Sequence, residues 1–248
     1  MSQQQVSFGV GRRWVVGSIG EARALAAATA AEAITACDLV EIRLDALAAE
    51  GGGVGAGCWR HLEGLPLLFT ARRGDEGGAR ETSPGQRMEL LYAALDDAAV
   101  IDVEVASISE MSGLLAEAAR RSVPWIGSFH DFEKLPGPLA LAAAAARARD
   151  AGAAVFKVAA MLHHPADIAR LAEFQASSQG VPLATMGMGP LAPVSRLLCA
   201  QYGSVLNYGY LGETPTAPGQ WECGLLRQAI RRLAPVPGGG SARANFRF

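Results

Sequence analysis

The sequence predicts an α/β protein with the (β/α)8 barrel, or TIM-barrel, architecture in a single domain. Two observations lead to this prediction. Short apolar runs alternate with longer helical stretches, which is the pattern of a parallel sheet covered by helices. Eight such runs within 248 residues match the strand count and size of this barrel. A doubly wound open sheet is the alternative fold. The predicted strands are Trp14–Ser18, Leu39–Leu44, Pro66–Ala71, Val100–Val105, Val123–Ser128, Ala153–Ala159, Val181–Met186 and Ser204–Tyr208.

The stretches between these runs are long enough for helices, although their alanine-rich composition weakens the hydrophobic period. A glycine-rich segment, Ala48–Gly57, predicts a surface loop, and a weak helix is expected around Trp59–Gly64. The barrel is expected to span residues 13–233, with an N-terminal tail at 1–12 and a flexible C-terminal tail at 234–248. The predicted helices are Glu21–Ala36, Gln86–Leu95, Ser109–Arg121, Leu139–Ala151, Pro165–Ser178, Val194–Tyr202 and Gln220–Leu233.

Composition excludes several classes of partner. The net charge of −2 gives no electrostatic basis for binding nucleic acid or an anionic membrane. No apolar run approaches the ~20 residues that a membrane span needs, and the N-terminus lacks an apolar signal core. The four cysteines show no metal-ligand spacing and are expected to be free thiols, which indicates a cytoplasmic protein.

Two motifs that could hold a cofactor or a metal are incomplete. The segment Gly187–Ala192 fits the glycine pattern of a dinucleotide site, but the required acidic residue is missing about 20 positions later. Pro190 also removes an amide donor from any phosphate cradle. His163 and His164 are adjacent, so they do not face one another on a helix or a strand. We therefore expect neither a nucleotide site nor a metal site.

Lys157 is the polar residue that stands out. Only two of the 22 basic residues are lysines, and this one interrupts the small and β-branched run Ala153–Ala159. A desolvated amine loses its proton more easily than an exposed one and can then attack a carbonyl, which a guanidinium cannot do. Lys157 is thus a candidate Schiff-base lysine. The alternative is a strand-end lysine that reaches solvent or pairs with a carboxylate.

Polar side chains also gather at the C-terminal ends of the other predicted strands. In a (β/α)8 barrel these ends share one face, and the active site lies there. Asp102 and Glu104 could instead form a structural layer of ion pairs, and this alternative stays open. The convergence of titratable groups from at least five strand ends nevertheless predicts an active site. The residues concerned are Glu41, Arg43, Asp45, Arg72, Glu76, Asp102, Glu104, His130, Asp131, Lys157 and Gln220.

The order and spacing of these residues resemble the type I 3-dehydroquinate dehydratases of the shikimate pathway. The resemblance runs from Glu41 to Gln220, over most of the predicted barrel. Each motif is weak alone, but nine in family order are specific. They are Glu41-x-Arg43-x-Asp45, Thr70-x-Arg72-x3-Glu76-Gly77-Gly78, Asp102-x-Glu104, Ser128-x-His130-Asp131-Phe132, Lys157-Val158-Ala159, Met186-x-Met188-Gly189, Ser195-Arg196, Tyr202-Gly203-Ser204 and Ala217-Pro218-Gly219-Gln220.

The resemblance implies a catalytic role for three residues. Lys157 would form a Schiff base with the C3 ketone of 3-dehydroquinate, and His130 would act as the general base and acid. Glu76 would orient His130. Arg196 would bind the substrate carboxylate. The remaining residues expected to bind substrate are Glu41, Arg43, Arg72, Thr216 and Gln220.

The resemblance further implies no metal and no organic cofactor, a homodimer, and a lid formed by the loop Gly209–Gln220. Thr216 stands where family members often have serine and keeps the hydroxyl. Ala192 stands where glycine is common, with Pro193 beside it, which leaves the course of that loop open. Two other functions stay open: a class I aldolase acting on sugar phosphates, and a catalytically inactive barrel kept as a binding subunit.

Overall fold

The structure, a computed structural model, describes residues 6–9, 11–51 and 53–233. Eight parallel strands form a nearly closed barrel, in the order β7-β6-β5-β4-β3-β2-β1-β8. The predicted (β/α)8 fold is therefore confirmed, and the open doubly wound sheet is not formed. The strands are β1 (Trp14–Ile19), β2 (Leu39–Arg43), β3 (Leu67–Thr70), β4 (Val100–Glu104), β5 (Trp125–Asp131), β6 (Val155–Met161), β7 (Leu183–Met188) and β8 (Leu206–Tyr210).

Helices cover the outside of the barrel. They are α1 (Ala22–Ala27), α2 (Ala30–Ala36), α3 (Leu44–Ala49), α4 (Pro84–Ala94), α5 (Ser112–Arg120), α6 (Pro138–Asp150), α7 (Pro165–Ala176), α8 (Ala192–Gln201) and α9 (Cys223–Arg231). No helix of the described ranges is long and apolar enough to cross a membrane.

Three local predictions differ from the structure. The single helix expected over Glu21–Ala36 is two helices, because Thr29 is extended and its side chain accepts a hydrogen bond from the amide of Glu32. Such an N-cap starts a new helix. Helix α3 begins directly after β2, where the sequence predicted the last strand residue and a loop. The weak helix around Trp59–Gly64 is replaced by two short 3-10 turns, Ala56–Cys58 and Arg60–Leu62.

The barrel closes between β7 and β8 without a regular ladder. The amide of Val205 donates to the carbonyl of Leu183 at 3.0 Å. Nearby, the Ser204 hydroxyl accepts from the amide of Thr185 and donates to the carbonyl of Leu206. A side chain thus satisfies backbone groups that a ladder would otherwise pair.

The barrel interior changes character along its axis. At the N-terminal end of the strands the inward side chains are apolar, and Val16, Leu39, Leu68, Val100 and Ile126 are all fully buried. Two residues further along each of these five strands, the inward positions become polar, at Ser18, Glu41, Thr70, Asp102 and Ser128. Because side chains alternate along a strand, the same face of each strand carries both the apolar core and the polar site.

Residues before β1 close the N-terminal end of the barrel. Val6 and Phe8 are buried in the same apolar cluster as Trp14, and the rings of Phe8 and Trp14 meet edge to face at 6.1 Å. The Trp14 indole donates to the carbonyl of Ser7. This part of the predicted N-terminal tail therefore contributes apolar packing. The rest of that tail, residues 1–5 and 10, and the predicted C-terminal tail, residues 234–248, lie outside the described residues.

Candidate active site

The C-terminal ends of the strands surround a cavity of about 50 Å³. A larger cavity of about 410 Å³ lies outside the barrel, against α1, α2 and the residues after β8, and contains none of the predicted site residues. The residues to which the resemblance gave a catalytic or substrate-binding role all line the smaller cavity, so the structure brings them together and we take this cavity as the candidate active site. Its lining consists of Ser18, Glu41, Arg43, Arg72, Glu76, Gly77, His130, Phe132, Lys157, Ala159, Met186, Met188, Arg196, Tyr208, Thr216, Ala217 and Gln220. Of the other polar residues at the strand ends, four are not among the lining residues: Asp45, Asp102, Glu104 and Asp131.

Lys157 projects from the middle of β6 into this cavity and is 4% exposed. Its Nζ lies 3.0 Å from Oδ2 of Asp102 and 4.4 Å from the centre of the Tyr208 ring. Burial lowers the pKa of the lysine and Arg72 lowers it further, whereas Asp102 opposes both. The two interpretations offered by the sequence therefore coexist. The lysine has a carboxylate partner, and its pKa still lies below the ordinary value.

Asp102 is held by more than the lysine. Its Oδ1 lies 2.9 Å from Arg72 Nη1 and accepts a hydrogen bond from the Ser128 hydroxyl. Burial alone raises the pKa of Asp102, but the charges of Arg72 and Lys157 hold it below the usual carboxyl range. Asp102 therefore stays ionised beside the lysine, and it can neutralise a positive charge on Lys157 Nζ.

Glu104 has a different environment, although it lies only two residues further along β4. Its two oxygens each lie 2.9 Å from an arginine, one from Arg72 and the other from Arg87. Neither Glu104 nor Asp102 is among the residues that line the cavity. Of the two carboxylates for which a structural ion pair was an open alternative, Glu104 fits that description, whereas Asp102 contacts the candidate nucleophile.

His130 and Glu76 form a pair at the mouth of the cavity. Oε2 of Glu76 accepts a hydrogen bond from the His130 amide at 2.9 Å and lies 3.0 Å from Nδ1 of the same ring. This arrangement orients the imidazole and leaves Nε2 for a ligand. Gly77, directly after Glu76, has a φ of +88°, and a Cβ there would lie 2.4 Å from the Phe132 ring. Only glycine therefore fits this turn without displacing Phe132.

The electrostatics of this pair differ from those of an exposed histidine. Burial, together with the positive charges of Arg72 and Lys157, lowers the pKa of His130 well below 6.5. Burial also disfavours the charged form of Glu76, and for a carboxyl group this raises the pKa, to about 7. The imidazole is consequently neutral at physiological pH, which is the state in which it can accept a proton.

Arg196 lies on α8, on the opposite side of the cavity, and is 4% exposed. Its Nη1 donates to the carbonyl of Tyr208 at 2.8 Å and approaches the sulfur of Met186 at 3.9 Å. Its Nε is buried without a hydrogen-bond partner. In the described part of the chain no carboxylate lies within ion-pair distance of it, and burial lowers its pKa to about 10. Such a cation is suited to binding an anionic ligand group.

Glu41 and Arg43, both on β2, bind different partners. Glu41 accepts hydrogen bonds from the hydroxyls of Ser18 at 2.5 Å and Thr70 at 2.8 Å. Arg43 makes a bidentate pair with Asp45 and also donates to the carbonyl of Gly77 at 3.0 Å. Arg43 thereby supports the turn that carries the Glu76 carboxylate as well as lining the cavity.

The segment after β8 covers one side of the cavity. Oε1 of Gln220 accepts from the amide and the hydroxyl of Thr216, both at 2.9 Å. The amide of Gly189 donates to the carbonyl of Pro218, and a Cβ on Gly219 would lie 2.2 Å from the Gly189 carbonyl oxygen. The loops after β7 and β8 are thus in direct contact. The course left open at Ala192 is a helix start, with Ala192 fully buried as the first residue of α8.

Sequence reasoning gave no site role to Ser18 and Tyr208, which line the cavity. It counted Asp102 among the polar residues at the strand ends but did not identify Lys157 as its partner. The signal for Asp102 was its alternate position on β4, but nothing local to β4 indicates that Lys157 is its partner. Tyr208 had a similar signal, because it lies two residues after the buried Leu206. The described residues contain no cluster of three or more His, Cys, Asp or Glu side chains placed to hold a metal ion.

The fold and the site define a class of protein: a (β/α)8 barrel with a desolvated lysine on β6, facing a histidine–carboxylate pair. The chain belongs to the type I 3-dehydroquinase family, whose pattern matches residues 18–234. It is 32% identical to the 3-dehydroquinate dehydratase of Methanocella arvoryzae over 196 residues, 79% of this chain and 87% of that protein. The enzyme of the same name from Shouchella clausii is 34% identical, with 68% and 69% covered.

Solved structures lead to the same family. The 3-dehydroquinate dehydratase from Enterococcus faecalis superposes with a TM-score of 0.76 at 26% identity, covering 91% of this chain and 98% of that one. The enzyme from Geobacillus kaustophilus gives a TM-score of 0.77 at 25% identity, with 89% and 91% covered. The family resemblance stated from the sequence motifs is therefore confirmed.

Proposed function

We propose that this chain is a 3-dehydroquinate dehydratase, a hydro-lyase that converts 3-dehydroquinate to 3-dehydroshikimate in the shikimate pathway. The observation that carries the proposal is a desolvated lysine in the same cavity as a neutral histidine and an arginine without a carboxylate partner. A keto acid that loses a proton and a hydroxyl needs these three groups. The names of the relatives support the same substrate.

The first step is imine formation at Lys157. The neutral amine attacks the C3 ketone, and the resulting carbinolamine loses water to give a protonated imine. Burial favours this step because it lowers the pKa of the lysine. The carboxylate of Asp102, 3.0 Å from Nζ, is then the counter-ion of the positively charged imine.

The second step is a syn elimination assisted by His130. The protonated imine draws electrons from C2, so its proton becomes acidic enough for the neutral imidazole to remove, giving an enamine. The enamine then expels the C1 hydroxyl, which takes a proton from His130 and leaves as water. Glu76 orients the ring through Nδ1 and supports its positive charge while the proton is held. Hydrolysis of the product imine regenerates Lys157.

Substrate binding is divided between the two sides of the cavity. Arg196 binds the carboxylate, because its guanidinium is buried and lacks an anion of its own. The ring hydroxyls lie against polar groups on the other side and in the loop after β8. Those groups are Glu41, Arg43, Arg72, Thr216 and Gln220, all of which line the cavity.

Borohydride trapping tests the proposal. The protein is incubated with 3-dehydroquinate, reduced, digested and analysed by mass spectrometry. We expect an adduct on Lys157, with the exposed Lys134, the only other lysine, as an internal control. Lys157→Ala should form no adduct. His130→Ala should still form one but turn over 10²- to 10⁴-fold more slowly, the usual contribution of a general acid–base group.

Two other functions give different outcomes in this experiment. A class I aldolase would be trapped with aldol substrates instead of 3-dehydroquinate and would cleave them. A catalytically inactive barrel would bind 3-dehydroquinate at equilibrium without turnover. Full activity in Lys157→Ala would refute the imine mechanism whatever the substrate.

We also propose that the enzyme is a cytoplasmic homodimer that requires no metal or organic cofactor. The family resemblance supports the dimer, and all four cysteines are free thiols, as expected in a reducing compartment. Sedimentation equilibrium measures the oligomeric state, and a monomer at micromolar concentration would contradict it. Undiminished activity after treatment with EDTA and gel filtration is the expected result for the cofactor.

A further inference from the structure

Tyr208 has an unexplained polar group at the centre of the candidate active site. Its Oη is buried and has no hydrogen-bond partner among the described residues, and Tyr208 is one of the residues that line the cavity. Buried hydroxyl groups without a partner are uncommon and destabilise the state that contains them. Only four buried side-chain atoms of the described residues share this property, and Nε of Arg196, which lines the same cavity, is another.

The ring of Tyr208 has a second contact of chemical interest. Lys157 Nζ lies over the ring at 4.4 Å from its centre, within the distance of a cation–π interaction. This interaction favours a positive charge on that nitrogen. Asp102 supplies a negative charge 3.0 Å from the same nitrogen. The reactive nitrogen therefore contacts both a carboxylate and the face of an aromatic ring.

The hydroxyl of Tyr208 remains protonated, so it can serve as a donor. Burial raises the pKa of the phenol well above 10, and the neighbouring charges of Glu41 and Asp102 raise it further, against the opposing effect of Arg72. The backbone of Tyr208 is fixed independently, because its carbonyl accepts from Arg196 Nη1 at 2.8 Å. A fixed donor in a cavity wall is suited to orienting a ligand.

We propose that Tyr208 is a further substrate-contacting residue of this site, with two separable functions. Its ring stabilises positive charge on Lys157 Nζ, including that of the protonated imine. Its Oη donates a hydrogen bond to an oxygen of the bound ring. This inference rests on the proposed function for the identity of the ligand, but its effects on Lys157 and on the ligand-free protein do not depend on it.

Two variants separate the functions. Tyr208→Phe keeps the ring and removes the hydroxyl, whereas Tyr208→Leu removes both. In thermal unfolding without ligand, Tyr208→Phe should be at least as stable as the parent protein, because it loses only a hydroxyl without a partner. A lower unfolding temperature would show that Oη has a structural role and would overturn the donor assignment.

Acetic anhydride labelling without substrate tests the ring. The rate of Lys157 acetylation is measured against pH by mass spectrometry, with Lys134 as the internal reference. Tyr208→Phe should match the parent profile. In Tyr208→Leu the pH profile of Lys157 acetylation should move to lower pH, because the protonated amine loses its contact with the ring. The shift should correspond to a 3- to 10-fold weaker binding of the proton to Lys157 Nζ. Coincident profiles in all three proteins would refute the cation–π assignment.

The last arm uses 3-dehydroquinate with borohydride trapping. For Tyr208→Phe we expect that the concentration of 3-dehydroquinate giving half of the maximum adduct is about 10-fold higher, since one hydrogen bond to the ligand is lost. The maximum yield of adduct should be unchanged. Half-saturation equal to that of the parent would overturn the donor assignment. If the parent protein itself forms no adduct, the proposed function fails, while the labelling and unfolding results still decide the roles of the ring and the hydroxyl.

Discussion

The two sides of the candidate active site treat buried polar groups in opposite ways. On the side formed by β2–β6, Arg72 contacts Asp102 and Glu104, and Lys157 contacts Asp102. On the side formed by β7, β8 and α8, the hydrogen-bond acceptors of the Arg196 guanidinium within residues 6–9, 11–51 and 53–233 are a backbone carbonyl and a thioether, and the Tyr208 hydroxyl has no polar partner in those ranges. Both sides are equally buried, so exposure does not account for the difference.

The pKa values of the two arginines express this contrast. Although burial lowers the pKa of each, the carboxylates around Arg72 more than compensate and raise it above the ordinary value. Nothing comparable surrounds Arg196, and burial lowers its pKa to about 10. A buried charge that the protein itself neutralises has a structural role, whereas a buried charge without an anion is available to bind a ligand. Comparing the environments of buried charges thus separates positioning groups from binding groups.

The largest expected effect comes from removing the compensated arginine. Arg72→Met leaves Asp102 and Glu104 short of a partner in the barrel interior, and breaking such a buried pair costs about 3–5 kcal/mol of unfolding free energy. Urea denaturation followed by circular dichroism measures this loss. A change below about 1 kcal/mol would mean that the charges of this side are not coupled as the contacts indicate.

The matched variant on the other side, Arg196→Met, should behave in the opposite way. It removes a buried charge that has no anion, so the free energy of unfolding should stay the same or rise. Loss of the contact with the substrate carboxylate should instead lower kcat/KM on the order of 100-fold. This corresponds to a loss of about 3 kcal/mol of transition-state stabilisation. If the variant unfolds as readily as Arg72→Met, the two sides are not different and the comparison fails.

The Glu76→Gln variant extends the comparison to the pH dependence of the unfolding free energy, because Glu76 is a buried carboxyl group whose pKa is raised rather than lowered. The folded protein holds this proton up to about pH 7, against an ordinary value of 4.5. The parent's unfolding free energy should therefore fall relative to the variant as pH rises from 4.5 to 7, by about 2 kcal/mol.

His130 contributes a slope of the opposite sign. Its pKa is lowered in the folded protein, so its contribution is present above 6.5 and is lost as pH falls below that value. Because Glu76 contacts His130, the same comparison is repeated in a His130→Ala background, where this contribution is absent from both proteins. A constant difference between pH 4.5 and 7 would contradict the raised pKa of Glu76.

The smallest expected effect is at Glu41, which accepts hydrogen bonds from the hydroxyl groups of Ser18 and Thr70 and makes no ion pair within 4.0 Å among the described residues. Ser18→Ala removes one of its two donors while Thr70 still donates. We expect a loss of about 1 kcal/mol in the free energy of unfolding, measured alongside Thr70→Val as the matched variant. A loss as large as that of Arg72→Met would place Glu41 in the same charge network.

Much of this molecule was predictable because the relevant signals are local. Each apolar run carries its own strand signal, and a helix must follow each strand of a parallel sheet. The breaks at Thr29 and after Arg43 escaped prediction because alanine-rich stretches have little hydrophobic period. The unladdered contact of β7 with β8 escaped for a different reason: it joins strands whose pairing depends on how the whole barrel closes.

The sequence by itself determined the barrel, the family, and most of the polar side chains that line the candidate active site, because strand alternation and strand ends are properties of short segments. Only the tertiary structure decided how those side chains are paired. Asp102 and Lys157 are 55 positions apart in the chain, and their contact follows from the register of β4, β5 and β6. Tertiary packing also decided that, in the part of the chain that the structure describes, Arg196 has no carboxylate partner and the Tyr208 hydroxyl has no hydrogen-bond partner. Both absences depend on all the residues packed around these two side chains, which no local pattern encodes.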